Sequence, residues 1–367
     1  MLNNKTIAVI VPAYNEENQI ALVLETMPDF VDRIIVVNDC SIDRTEEIVK
    51  SFWETDLNKG LFLKDIFDHK IVGRYERANQ LLLEQAKEEI RFFVPSSVTN
   101  SDKENDRIVL INQMYNSGVG AAIARGYKWC KDYNIDCSAV MAGDGQMDPS
   151  ELLSICYPVI HENIDYSKGN RLIHRSSGLA IPKLRLFGNS VLSILTKLAS
   201  GYWRVSDTQT GYTAISKKAL NAICLYKIYK NYGMPNDMLV KLNIAICSIK
   251  EVEIKPIYDI GEQSKMKIMK VIPRVSWLLF ISFFKRIWLR YFLKDFHPLF
   301  LLYNLSFVLA FISVPFLVKI IEHSFITKTD ANPVTVLAFV FLAISSFQSL
   351  MFAMWMDIQD NERLYKN

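Results

Sequence analysis

Four short apolar runs, each uninterrupted by polar residues, recur through the first 141 residues: Thr6–Val11 (TIAVIV), Arg33–Val37 (RIIVV, after its leading arginine), Ile108–Ile111 and Ala139–Met141. Continuous rather than alternating hydrophobicity marks strands buried on both faces, as in parallel sheets. Between the first two, a helix is predicted from Asn18, with Ile20, Val23, Leu24 and Met27 on one face. After the second, Ser41–Thr45 forms a turn into a helix over Glu46–Phe52, with Ser41 or Asp43 as its N-cap. A third helix, Ala121–Lys131, follows the Asn116–Gly120 turn. This βαβα order predicts an α/β domain with a mainly parallel sheet. Further on, the pattern predicts a strand-to-loop exit at Tyr166–Arg171, a helix over Pro182–Ser200, a polar turn at Asp207–Tyr212, a helix over Asn236–Ala245 and a strand over Ile249–Ile257.

Residues 53–107 break the alternation and read as an insertion at the edge of the domain. They contain a helical stretch, Arg77–Phe92, and a polar loop, Ser96–Asp106.

The C-terminus changes character. Lys265–Lys294 holds eight Lys/Arg and no acid, while Trp277, Phe280, Ile281, Phe284, Trp288, Tyr291 and Phe292 recur at helical spacing. A basic helix with an aromatic stripe suits an anionic membrane interface. Leu299–Val318 is then uncharged for 20 residues and Pro333–Met356 for 24. Each is long enough to cross a hydrocarbon core of about 30 Å. A 14-residue link, Lys319–Asn332, makes the pair a two-span hairpin. The basic run before it places the catalytic domain and the tail in the cytoplasm. The organisation predicted is a domain at 1–262, a juxtamembrane segment at 263–297, a hairpin at 298–356 and a tail at 357–367.

Composition narrows the chemistry. In 367 residues, half of them hydrophobic, the net charge is only +3, so nothing global points to nucleic acid. Six cysteines lack any CxxC and five histidines form no HxxxH or HExxH pair, which disfavours disulfides, zinc and Ser-His-Asp catalysis. Met1–Lys5 is short and polar, so no leader peptide is expected before the first strand. The absence of GxGxxG after that strand argues against dinucleotide binding.

The stretch Ala139–Pro149 (AVMAGDGQMDP) carries the sharpest chemical signal. A strand ending in a carboxylate and an amide presents hard oxygen ligands at the carboxyl edge of the sheet, where open α/β sheets bind ligands. Such ligands suit Mg²⁺ or Mn²⁺. A glycine-rich turn holding nothing is the alternative. Asp148 has a structural explanation as a helix N-cap, with Pro149 at N1 and Glu151 closing a capping box. The glycines of Asn116–Gly120 permit either close packing or a phosphate contact.

Six segments in order, PAYNEE (Pro12–Glu17), VVNDCSIDRT (Val36–Thr45), NSGVGAAIARGY (Asn116–Tyr127), MAGDGQMDP (Met141–Pro149), GNR (Gly169–Arg171) and DTQTGY (Asp207–Tyr212), resemble family-2 glycosyltransferases of the GT-A fold. Within these the chain is similar to polyisoprenyl-phosphate glycosyltransferases related to dolichol-phosphate mannose synthase. The resemblance implies that Pro12, Ala13, Tyr14, Glu16, Asp39 and Gly143 bind the nucleotide-sugar, and that Asp144 and Gln146 hold a divalent metal. It implies that Arg171 and Arg185 face phosphates, that Asp207 and Asp237 are acidic active-site residues, and that Ser264 and Lys265 touch the acceptor phosphate. Three departures stand out: Ala142 replaces the first carboxylate of Asp-x-Asp, the arginine ahead of the Ser264-Lys265 loop is missing, and the 53–107 insertion is foreign to the pattern. No QxxRW motif is present, which disfavours a processive polysaccharide synthase.

The expected activity is therefore inverting transfer of a sugar from a nucleotide-diphosphate sugar to a polyprenyl phosphate at a membrane. Transfer to a glycolipid or saccharide hydroxyl, which would need a base such as Asp237, is the enzymatic alternative. A catalytically inactive scaffold of the same fold is the other, and a homo-oligomer is left open.

Overall fold

The computed structural model describes residues 2–55, 61–63, 65–68, 76–102, 104–177, 183–257, 268–327 and 329–366; the side chains of 183–187, 268–270 and 326–327 are outside that description. The elements in order are β1 (Ile7–Ala13), α1 (Ile20–Glu25), β2 (Arg33–Asn38), α2 (Thr45–Thr55), α3 (Arg77–Glu89), β3 (Ser96–Val98), β4 (Ile108–Gln113), α4 (Val119–Asp132), β5 (Cys137–Val140), α5 (Leu152–His161), β6 (Tyr166–Asn170), α6 (Lys183–Ser200), β7 (Thr213–Ser216), α7 (Lys217–Ala222), α8 (Met234–Ile244), β8 (Ile249–Glu253), α9 (Ile268–Trp288), α10 (Pro298–Ile321) and α11 (Pro333–Glu362).

The strands form one sheet in the order β3-β4-β2-β1-β5-β7-β6-β8. The four predicted apolar runs make its parallel centre, β4-β2-β1-β5. Beyond β5, β7 runs antiparallel to both of its neighbours. Its four residues, Thr-Ala-Ile-Ser, are too short to show a period in sequence.

Alternation along the central strands feeds two cores. Ala8, Ile10, Ile35, Val37, Val109 and Ile111 pack under α4, whereas Ile7, Val9, Val11, Ile34, Val36 and Leu110 pack with α1 and α5. Both faces are covered, which is why these strands read as continuous apolar runs.

The inserted segment is stitched to the sheet and partly belongs to it. Ser96–Val98, predicted as loop, is an antiparallel edge strand on β4. Its polar residues are tolerated because an edge strand is half solvated. The guanidinium of Arg33, fully buried at the start of β2, donates to the carbonyls of Leu61 and Glu104. Trp53 Nε1 donates to Asp106 at 2.8 Å.

At the C-terminus, two helical stretches, Pro298–Phe325 and Pro333–Glu362, are long and apolar enough to cross a membrane. They pair with each other through reciprocal hydrogen bonds, Ser306 Oγ to Ser346 O and Ser346 Oγ to Ser306 O, both at 2.9 Å. The predicted link Lys319–Asn332 is shorter than expected, because α10 continues to Ile321 and a π-helical turn runs through Thr327.

The juxtamembrane helix keeps one exposed aromatic face, with Trp277 at 64%, Phe280 at 55% and Trp288 at 47% exposure. Tyr291, Arg286 and Arg290, expected on the same interfacial surface, are instead buried. Residues 357–366, within the stretch expected as the tail, are packed in: Asp357 and Asn361 are buried, and Leu364 joins the core under α4.

Candidate functional site

The carboxyl ends of the central strands open into a cleft of about 480 Å³. One wall is the loop after β1, which bears Pro12, Ala13, Tyr14 and Glu16. Asn15 in that loop holds a left-handed backbone, φ 53°. The turn after β2 fixes it there. Ser41 Oγ accepts from Asn15 N (3.0 Å), Thr45 Oγ1 from Glu16 N (2.9 Å) and Asp43 Oδ2 from Glu17 N (3.1 Å), while Asn15 Oδ1 accepts from Ile42 N (2.9 Å). Ser41 is therefore a latch on the β1 loop rather than an N-cap. Asp43 serves both purposes, since Oδ1 also accepts from Thr45 N at the start of α2. Sequence reasoning missed this latch because its partners lie 26 to 29 residues apart.

Asp39 lines the cleft at 3% exposure and accepts from Ser117 N and Gly118 N, both at 2.8 Å. Burial raises its carboxyl above the usual aspartate range, against the two backbone donors. Three backbone amides of the Asn116–Gly120 turn are committed: besides those two, Gly120 N donates to Lys230 O at 2.8 Å. Its glycines have a packing reason. A Cβ on Gly120 would stand 2.1 Å from Tyr229 O, and one on Gly118, at φ +93°, 2.5 Å from Asn231 Oδ1. The segment 229–231 thus presses directly on the turn and brings Asn231 and Tyr232 into the cleft.

The strand-turn after β5 brings Ala142, Gly143, Asp144 and Gln146 to the cleft floor. Gly143 N donates to Pro12 O at 3.2 Å, tying this turn to the β1 loop. Asp144 Oδ1 accepts from Gln146 N at 3.1 Å. Asp148 caps the next helix, accepting from Ser150 N at 2.9 Å, with Pro149 behind it. The predicted capping box is not closed, because Glu151 accepts from Lys255 N at 2.9 Å instead.

Asp144 and Gln146 together offer one carboxylate and one amide oxygen. This is a hard-oxygen donor set that suits Mg²⁺ or Mn²⁺ only when ligand and water oxygens complete the shell. No group of three or more His, Cys, Asp or Glu able to hold a metal occurs among the described residues.

Arg171 also lines the cleft and is paired with Asp207, which does not. Arg171 Nε and Nη2 meet the two Asp207 oxygens at 2.8 and 3.0 Å, a bidentate pair. Asp207, 2% exposed, also accepts from the backbone N–H of Gln209 and Thr210, each at 3.2 Å. Burial would raise this carboxyl, but Arg171 outweighs it and holds it below the ordinary range. Behind the pair, Lys168 is fully buried and donates to Thr210 O; burial brings its ammonium down to about 8, against the pull of Asp207 and Glu251. Asp207 is thus committed to Arg171 and to backbone amides and is not among the cleft-lining residues.

Asp237 is not among the cleft-lining residues. Its Oδ2 accepts from Tyr229 N at 2.8 Å and pairs with Lys241, so it shapes the 229–231 segment from behind. Arg185 sits in the first turn of α6, with its side chain outside the described residues; Ser264 and Lys265 lie outside them altogether. Part of the cleft lining is apolar: Leu192 of α6, Met234 and Pro235 of α8, and Val271 and Ile272 of α9.

Residues 8–68 match the model of glycosyl transferase family 2. The chain is 28% identical over 256 residues to a UDP-N-acetylglucosamine–dolichyl-phosphate N-acetylglucosaminyltransferase of Methanococcus voltae, covering 70% of this chain and 87% of that one. It is 23% identical over 301 residues to a dolichyl-phosphate beta-glucosyltransferase of Trichomonas vaginalis, covering 77% and 74%. Among solved structures it is similar to glucosyl-3-phosphoglycerate synthase from Mycobacterium tuberculosis in complex with Mg²⁺ and UDP, at 18% identity and TM-score 0.46, covering 77% of this chain and 79% of that one.

Proposed function

We propose that this chain is a family 2 glycosyltransferase with a GT-A catalytic domain, and that it moves a sugar from a nucleotide-diphosphate sugar to a membrane polyprenyl phosphate, with inversion. One observation carries this reading: a single cleft is lined both by the polar groups Tyr14, Asp39, Asp144 and Arg171 and by apolar side chains that include Val271 and Ile272 of α9. That same helix bears the exposed aromatic face and leads into the membrane hairpin. A phosphate held at Arg171 with its lipid chain toward Val271 and Ile272 fits such a lining.

The β1 loop and Asp39 hold the nucleoside in this scheme, and Asp144 and Gln146 would hold Mg²⁺ or Mn²⁺ together with the donor. When bound, the metal supplies positive charge against the departing diphosphate. Arg171, locked by Asp207, presents a guanidinium fork to phosphate oxygens without needing to reorganise. The acceptor's phosphate oxygen forms the new bond to the anomeric carbon as the bond to the diphosphate breaks, and the nucleoside diphosphate leaves with that electron pair. A phosphomonoester with a second pKa of about 6 is largely dianionic near neutral pH and attacks without a base. The residue expected to serve an alcohol acceptor, Asp237, is committed elsewhere, to Tyr229 N and Lys241, and Asp207 is committed to Arg171.

Both ends of the hairpin lie on the side of the catalytic domain, because residue 364 packs in its core. With the basic run beside it, that side is assigned to the cytoplasm. Full-length enzyme in liposomes containing polyprenyl phosphate, offered UDP-N-acetylglucosamine and UDP-glucose with Mn²⁺, should form a sugar-lipid. Asp144→Ala should abolish it. No lipid product with any sugar nucleotide, or an unchanged rate in the variant, would overturn the assignment.

A further inference from the structure

The C-terminal residues do something the cleft does not explain. Arg286 of α9 and Asp357 of α11 are both fully buried and paired twice, Nη1–Oδ1 at 2.7 Å and Nη2–Oδ2 at 2.8 Å. Arg286 also donates to Ala199 O at 2.9 Å and Leu198 O at 3.1 Å, at the end of α6 in the catalytic domain. One turn on, Arg290 reaches Asp360 and Asn361 at 2.6 Å each and donates to Asn243 at the end of α8. Past this cluster the chain meets the sheet edge. Ile249 N donates to Leu364 O at 2.7 Å and Lys366 N to Ile249 O at 2.9 Å, so the segment pairs as a parallel bridge on β8.

A chain that has run through both apolar helices thus returns to complete the catalytic sheet. A buried ion pair is tolerated only where its geometry is fixed and its remaining donors are satisfied. Both conditions hold here, so the junction has one orientation and no slack. The same α9 lines the apolar part of the cleft at Val271 and Ile272. From Ile272 to Arg286 is 14 residues, or about 21 Å of helix at 1.5 Å each.

We propose that the Arg286–Asp357 cluster and the returning segment 357–366 form a rigid mount that holds the cleft at a fixed height and tilt over the lipid surface. These are positioning residues for a membrane-held acceptor, and the proposal rests on the acceptor assigned above. The mount matters when the acceptor phosphate is confined to the bilayer plane; it does not matter when the acceptor diffuses freely to the cleft.

The test uses full-length protein in liposomes, with long-chain polyprenyl phosphate in the bilayer or a ten-carbon isoprenyl phosphate in solution. Asp357→Asn should lower kcat/KM for the long-chain acceptor at least tenfold and leave the soluble one within about twofold. Lys366→Pro, which removes one bridge donor without burying an unpaired charge, should move in the same direction by less. Nitroxides at Asn221 and Val314, in protein with Cys40 and Cys224 replaced by serine, should give a narrow distance distribution that broadens in both variants. Equal loss on both acceptors, or a distribution as narrow as in the parent, would overturn the mount. If the parent protein glycosylates neither acceptor, the acceptor assignment falls, and the spin-label distribution alone decides for or against the mount.

Discussion

Replacing Asp207 with asparagine tests the site's electrostatics most sharply. The substitution keeps shape and removes one charge from a side chain that is 2% exposed and bound by both arms of Arg171, at 2.8 and 3.0 Å. Breaking a buried, hydrogen-bonded pair while leaving the partner costs about 3 kcal/mol. For a domain of this size that is a fall in Tm of roughly 6–12 °C. Because Arg171 lines the cleft, loss of its anchor should also cut the transfer rate by about 10²-fold or more. The pH dependence has a definite sign. Asp207 has a folded pKa held below its unfolded value near 3.9, so its contribution is present above that value and is lost as pH falls through the folded pKa. The gap in Tm between parent and Asp207→Asn should therefore be constant from pH 8 to 5 and close in more acidic buffer. Thermal unfolding in detergent across pH, followed by tryptophan fluorescence, measures it. A variant that melts with the parent at pH 7, or turns over at the parent's rate, would refute the claim that this pair sets the guanidinium.

Other consequences can be checked directly. Because Asp144 and Gln146 supply only one carboxylate and one amide oxygen, Mn²⁺ titrated into the protein alone should bind weakly by calorimetry, and at least tenfold more tightly with a nucleotide diphosphate present; tight binding by the protein alone would contradict the donor set. Gly120→Ala places a Cβ 2.1 Å from Tyr229 O, so it should lower Tm by several degrees and weaken donor binding by displacing the 229–231 segment; melting and nucleotide affinity report both. Lys168, brought down to about 8 by burial against an unfolded value near 10.4, binds fewer protons folded than unfolded between those values. Its contribution to stability therefore rises with pH over that window, and Lys168→Met should remove the rise seen in parent unfolding free energies.

The sheet's centre was legible because four strands buried on both faces leave unbroken apolar runs, and the hairpin because bilayer thickness demands long uncharged helices. Short elements were not: β3 is polar at a solvated edge and β7 has only four residues. At the site, Asp144, Gln146, Asp39 and Arg171 could be picked out since each ends or follows a strand at the carboxyl edge of the sheet. What pairing adds was hidden. Nothing local in the basic run distinguishes Arg286 from Lys285, yet one is sealed against Asp357, 71 residues on. Nor does sequence reveal that Asp237 turns toward the Tyr229 amide while Asp207 turns toward Arg171. The glycines of Asn116–Gly120 gave a correct turn and left close packing as one of two reasons for it, but not the partner, because the backbone that crowds them comes from residues 229–231.

The central claim is that the nucleophile is a lipid phosphate. Liposomes carrying equal amounts of polyprenyl phosphate and the corresponding polyprenol, incubated with full-length enzyme, Mn²⁺ and a sugar nucleotide it accepts, separate the two acceptors by mass spectrometry. The account predicts sugar on the phosphate lipid, with inverted anomeric configuration, and none on the alcohol. Sugar on the alcohol, or retention in the phosphate product, would contradict it.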